Sequence, residues 1–147
     1  MKQLYEGGKY EITEDMRGHL DMFVGGVGDE NMTMNTIRDV FDRSGYLIDT
    51  HTAVAAAVYF DYKKESGDNT PTVIDSTASP YKFTKSVLSA IDSSLVSDDD
   101  FDMADKLSEK SGVAIPWAVK SIRDAKILHN TVCEVEDMKN IVMKILG

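Results

Sequence analysis

The side chains best suited by type and spacing to do chemistry fall in two short segments. In the first, the apolar β-branched run Val73-Ile74 gives way after Asp75 to Ser76-Thr77-Ala78-Ser79, and Pro80 follows. Small hydroxyl residues at the carboxyl end of a strand, just before a helix, are where open α/β sheets put their ligands. A hydroxyl at such a strand end can bond a ring nitrogen or anchor a polar ligand group. The plainer alternative is that Ser76 and Thr77 satisfy loop backbone groups. The second segment is Asp49-Thr50-His51-Thr52-Ala53-Val54. His51 falls in the first turn of a small-residue helix, where an imidazole can orient a ligand or exchange a proton, or simply cap and pack. Asp49 is most economically the N-cap, its carboxylate facing the open amides of the helix start. Lys82 is either a contact for an anionic substrate or a solvated surface lysine.

Other candidates carry less. Gly25-Gly26-Val27-Gly28 has neither the G-x-G-x-x-G pattern nor a closing G-K-S/T, so it reads as a turn and not a phosphate loop. His19, His129 and Cys133 lack metal-ligand spacing, and no metal site is expected. Cys133 has no base positioned by sequence and is not a nucleophile candidate. Asp98-Asp99-Asp100 reads as an acidic helix start, favoured by the helix dipole, and does not match a calcium loop.

The elements that must position these residues are mostly helical. Thr13 caps a helix to about Phe23, and Asn31 or Thr33 starts another with Met34, Ile37, Val40 and Phe41 on its apolar face, ended by Gly45. Asp49 or Thr50 caps a helix to about Lys64 carrying the stripe Ala53, Val54, Ala57 and Val58. Residues 72–75 form the one convincing strand, with 76–79 near the start of helix 51–64, and Tyr46-Leu47-Ile48 is a shorter strand candidate. Pro80 opens a short helix, followed by one over about 84–91 with Val87, Leu88 and Ile91 inward. Ser97 caps a helix ended by Gly112, and Ile115-Pro116-Trp117 opens a short one with Trp117 in the core. Thr131 to Glu134 has capping-box spacing for a last helix with Val135, Met138, Ile141, Val142 and Ile145 buried. The expectation is about seven helices with one or two short strands, an α/β class poor in strands, as though the rest of a sheet lay on other sequence.

At 147 residues the chain is expected to be a single unit, 1–147, with a real core. The 25 acidic against 16 basic residues give a net charge of −9, which disfavours nucleic acid and anionic membranes as partners. A lone cysteine rules out an internal disulfide, and no leader or membrane-length apolar run is evident, so a cytoplasmic, soluble chain is expected.

The order of the two segments adds a resemblance. Tyr46-Leu47-Ile48-Asp49-Thr50-His51-Thr52-Ala53-Val54 resembles the threonine synthase segment D-P-H-T-A-V, with Thr50 where that family has proline. Ser76-Thr77-Ala78-Ser79-Pro80-Tyr81-Lys82-Phe83 resembles its S-T-A-H-P-x-K-F segment, with Ser79 in place of the common histidine. Leu107 to Pro116 and Arg123 to Cys133 look like the same family's tail.

The resemblance implies the carboxyl-terminal portion of a fold-type II enzyme that uses pyridoxal 5'-phosphate to convert O-phospho-L-homoserine and water to L-threonine and phosphate. It implies that Thr77, or its neighbour Ser76, meets the cofactor's ring nitrogen, which a neutral hydroxyl would leave unprotonated. Asp49, His51, Thr52 and Lys82 would line the substrate pocket. The family's Schiff-base lysine, in an F-K-D setting, and its glycine- and serine-rich phosphate loop have no match here. The chain is therefore expected to hold no catalytic residue of its own and to need the amino-terminal part of the same enzyme as partner. The competing reading is a freestanding helical interaction module without catalysis, related to that tail.

Overall fold

Capping chemistry sets the ends of the long helices in this computed structural model, which describes residues 2–147. Eight α-helices occur among the described residues: α1 Lys2–Gly7, α2 Glu14–Gly18, α3 Glu30–Ser44, α4 Thr50–Ser66, α5 Thr84–Asp92, α6 Asp100–Ser111, α7 Trp117–Arg123 and α8 Met138–Leu146. Single 3-10 turns lie at Pro80–Phe83, Ser93–Leu95 and Val135–Asp137. Asp29, Asp49 and Asp99 cap α3, α4 and α6 by accepting amide protons of the first turn. Gly45 and Gly112 close α3 and α6 in the left-handed region, at φ 69° and 71°, where a Cβ would be strained. Ser97, expected as the cap of α6, instead donates to Asp102 Oδ2 at 2.7 Å while Asp99 caps.

The core forms where α3 meets α4 and α5, and α5 meets α6. Ile37, Val87, Leu88, Met103 and Leu107 are fully buried at its centre. Ala53, Ala56 and Ala57 are buried on α4, which lets its backbone come close to α3. Two side chains fasten this frame through backbone carbonyls. Arg38 Nε donates to Ala90 O at 2.8 Å, linking α3 to α5. Tyr81 Oη donates to Val113 O at 2.5 Å, tying the Pro80–Phe83 turn to the chain beyond α6.

This first compact unit ends at Ile115, and a second runs Pro116–Gly147. In the second, α8 has the Val135–Asp137 turn as its main neighbour. No helix among the described residues is long and apolar enough to cross a membrane.

Several expectations are corrected. The class is helix-rich, and no strand forms among the described residues, neither at 72–75 nor at Tyr46-Leu47-Ile48. A strand exists by pairing, and the segment 67–79 has no ladder partner among the described residues. Val73 is accordingly 88% exposed, whereas Leu47 and Ile48 are buried by side-chain packing alone. Helix α2 stops at Gly18, leaving Leu20 and Phe23 outside it and exposed. Trp117 is 81% exposed, and Val135, Met138, Val142 and Ile145 are also exposed. The apolar stripe of α8 is real in sequence, but its unit is too small to lay a second surface over it.

Leu88→Ala should therefore lower unfolding stability by about 2–5 kcal/mol, because the surrounding helices cannot fully close the cavity. Val73→Ala should fall within about 0.5 kcal/mol of the parent. Urea titrations followed by circular dichroism measure both, and equal losses would contradict the location of the core.

Candidate functional site

Asp49 precedes α4 in extended geometry, φ −81° and ψ 170°, and is only 1% exposed. Its two carboxylate oxygens are used differently. Oδ1 accepts the His51 amide at 2.9 Å and the Thr52 amide at 3.5 Å, and lies 3.0 Å from His51 Nδ1. Oδ2 accepts the Thr52 hydroxyl in a short hydrogen bond. Burial alone would push the Asp49 carboxyl up. The Thr52 hydroxyl, the His51 amide and ring and the Thr52 amide together outweigh it and hold the carboxyl below its ordinary 3.8.

From this anchored carboxylate, contacts run two ways. Thr52 Oγ1 lies 3.0 Å from Ser76 Oγ, so the two sequence segments meet through one hydrogen bond spanning 24 residues. On the other side, the His51 ring leans on Asp49 through Nδ1. An ionised carboxylate only accepts, so Nδ1 carries the proton and, in the neutral ring, Nε2 is the basic nitrogen. The His51 side chain is 53% exposed, and its ring centroid lies 5.5 Å from that of Phe83. Lys82 Nζ sits 5.6 Å from the centre of the same Phe83 ring, a cation–π distance.

His51 also borders a cleft of about 330 Å³ between the starts of α3 and α4, with Gly28, Asp29, Thr33, Val54 and Ser86 around it. That volume is at the lower end for a small-molecule pocket. The glycine run 25–28 serves packing here. A Cβ on Gly26 would come within 2.5 Å of Val58 Cγ1, and one on Gly28 within 3.3 Å of Val54 Cγ1. Both glycines let the segment lie against α4.

The structure thus brings together Asp49, His51, Thr52 and Ser76, with Lys82 joined through Phe83. Thr77 is exposed beside Ser76 but makes no hydrogen bond among the described residues. Phe83, read only as part of the family-like segment, Thr33, read only as a candidate helix start, and Ser86 were not expected at the site, since nothing in an isolated Phe, Thr or Ser announces that a cleft will form beside it. No cluster able to hold a metal ion occurs among the described residues.

Fold and site together define a helical domain presenting a buried carboxylate, two hydroxyls and an imidazole at one helix start. Residues 52–122 match the family model described as threonine synthase, C-terminal. The match takes in Thr52, Ser76, Thr77 and Lys82 and begins immediately after His51. No curated protein matches the chain.

The depressed Asp49 carboxyl fixes a pH dependence. The unfolded aspartate titrates near 3.8 and the folded one lower, so its contribution to stability is complete above 3.8 and disappears as pH falls through the folded value. Asp49→Asn should cost about 1–3 kcal/mol near neutrality. The gap to the parent should narrow as pH falls below 3.8 and through the lower folded value. Urea midpoints at both pH values test this, and a gap independent of pH would contradict it.

Proposed function

We propose that this chain supplies the carboxyl-terminal wall of a threonine synthase active site, in a cytoplasmic enzyme that converts O-phospho-L-homoserine and water to L-threonine and phosphate. The observation that carries this reading is the Thr52–Ser76 hydrogen bond, which joins the two family-like segments into one cluster. The unpaired segment at 72–75, with Val73 in solvent, also supports it, since its sheet partners would then lie on the amino-terminal part of the enzyme.

The donor set suits pyridoxal phosphate. Hydroxyls at Ser76 and Thr77 offer neutral partners for a pyridine nitrogen, and Ser76 is held in place by Thr52. Pyridoxal phosphate, when bound, supplies the electron sink for carbanion chemistry. Asp49 orients Thr52 and, through Nδ1, the His51 ring. His51 Nε2 is then the atom that takes or returns a proton at the substrate. Lys82 offers a positive charge to a phosphate-bearing substrate. The amino-terminal part would contribute the Schiff-base lysine and the phosphate loop.

Phosphate release from O-phospho-L-homoserine with added cofactor tests the proposal. The purified chain alone should release none above the no-protein control, and adding the amino-terminal part of a threonine synthase should restore release. In that combination Thr77→Val should slow turnover more than it weakens cofactor retention, by about 1–3 kcal/mol. Release by the chain alone, or none from the combination, would reject the reading; the latter would favour a helical interaction module.

A further inference from the structure

Residues 23–29 form no helix, turn or bend, and they lie along α4 with a regular step. A Cβ on Gly26 would meet Val58, and one on Gly28 would meet Val54. Two residues of extended chain advance about 6.6 Å and four helical residues about 6 Å, so the segment runs antiparallel to α4 in extended form. Alternate positions of such a segment face opposite ways. Gly26 and Gly28 face the helix, while Phe23 and Val27 stand outward and are exposed. The same step carries the next inward position, Val24, over Tyr62. There it does not pack shut but borders a cleft of about 260 Å³ with Val58, Asp61, Tyr62 and Glu65.

The segment is a strand without a sheet. Backbone N–H and C=O groups of Val24 to Val27 make no hydrogen bond among the described residues, and all four residues are exposed. One more strand laid alongside would pair them. The charges around the edge define what that strand carries. Asp61 and Glu65, one turn apart on α4, border the cleft and have no ion pair among the described residues. Asp21 precedes the segment, and Asp29 and Glu30 follow it. Lys63 and Lys64 belong to the same helix but do not line the cleft. A second copy of this chain is a poor occupant, because pairing the edge with itself would set two acidic rims together.

We propose that Val24 to Val27 form a docking edge for an extended, basic peptide segment of a partner protein. The peptide adds as a strand, and its Lys or Arg side chains lay their apolar stems over Val24 and Val58 to reach Asp61 and Glu65. Backbone pairing supplies the affinity, and the two carboxylates select the charge. The edge is independent of the Asp49 cluster, since Asp61 lies about 18 Å farther along the α4 axis. Either this docking edge or the proposed function can therefore fail without the other.

The full 147-residue chain is titrated with a short, end-capped peptide of alternating lysine and valine, and its amide signals are followed. The amides of residues 24–27 should shift and gain protection from exchange. A counterpart methylated on its inner backbone nitrogens keeps every charge but loses its donors, and should bind about tenfold more weakly or worse. Asp61→Asn combined with Glu65→Gln should weaken binding about threefold at low salt. Both side chains are exposed, so this variant keeps the fold. A glutamate–valine peptide should not bind. Absence of binding, shifts centred outside 24–27, or equal affinity for the methylated peptide overturns the proposal. Unchanged affinity in the double variant also overturns it, because the partner would then not be selected by charge. Shifts at 24–27 that grow with protein concentration alone would assign the edge to a second copy instead.

Discussion

A buried, ionised carboxylate is tolerable only where its oxygens are all engaged, and Asp49 meets that condition with groups of His51 and Thr52. Two amides of the first α4 turn and the Thr52 hydroxyl are local and would be available to any capping aspartate. What is unusual is the outward reach. The same carboxylate holds the imidazole of His51 and, through Thr52, the hydroxyl of Ser76. Starting α4 and organising the candidate site are thus one interaction, and disrupting it affects stability and site geometry together.

The helical frame keeps that carboxylate out of water. Helices α3 and α5 bury Ile37, Val87 and Leu88, while Leu47 and Ile48 sink into the core immediately before Asp49. Tyr81 is buried as well, with its hydroxyl on Val113 O. It precedes Lys82 and Phe83, so the aromatic ring against His51 stands on an anchored turn. The glycines at 26 and 28 complete the enclosure by letting the preceding segment lie against Val58 and Val54. Rigid apolar contacts thereby support a polar cluster whose outer members, His51 and Ser76, remain exposed to a ligand.

Much of this was legible in the sequence because the signals are local. An aspartate before an alanine-rich run is a helix start, and glycine after an amphipathic run is a helix stop, whatever the rest of the chain does. The start of α4 and the Gly45 stop of α3 follow those rules, whereas α3 begins at Asp29 and not at Asn31 or Thr33, and the two motifs that resemble threonine synthase rest on residue order alone. The failures share one cause. The run at Thr72–Asp75 has the composition of a strand, but strand formation depends on a partner that local sequence does not reveal. The stripe on α8 and the apolar bulk of Trp117 likewise announce surfaces to be covered without saying what covers them.

The sequence by itself determined the start of α4 at Asp49, the glycine stops of α3 and α6, the acidic surface, the core face of α5, and which side chains were chemically eligible. Only the tertiary structure decided which of them meet. Ser76 and Thr77 are adjacent hydroxyls that sequence treats as near equals. Packing of the irregular segment 67–79 brings Ser76 to Thr52 and leaves Thr77 without a hydrogen bond among the described residues. It also decided that Phe83 would face His51 and that Asp49 would be buried. Such choices depend on contacts between residues distant along the chain, and the free energy of burying a carboxylate is set by the full set of donors around it, which no local pattern encodes.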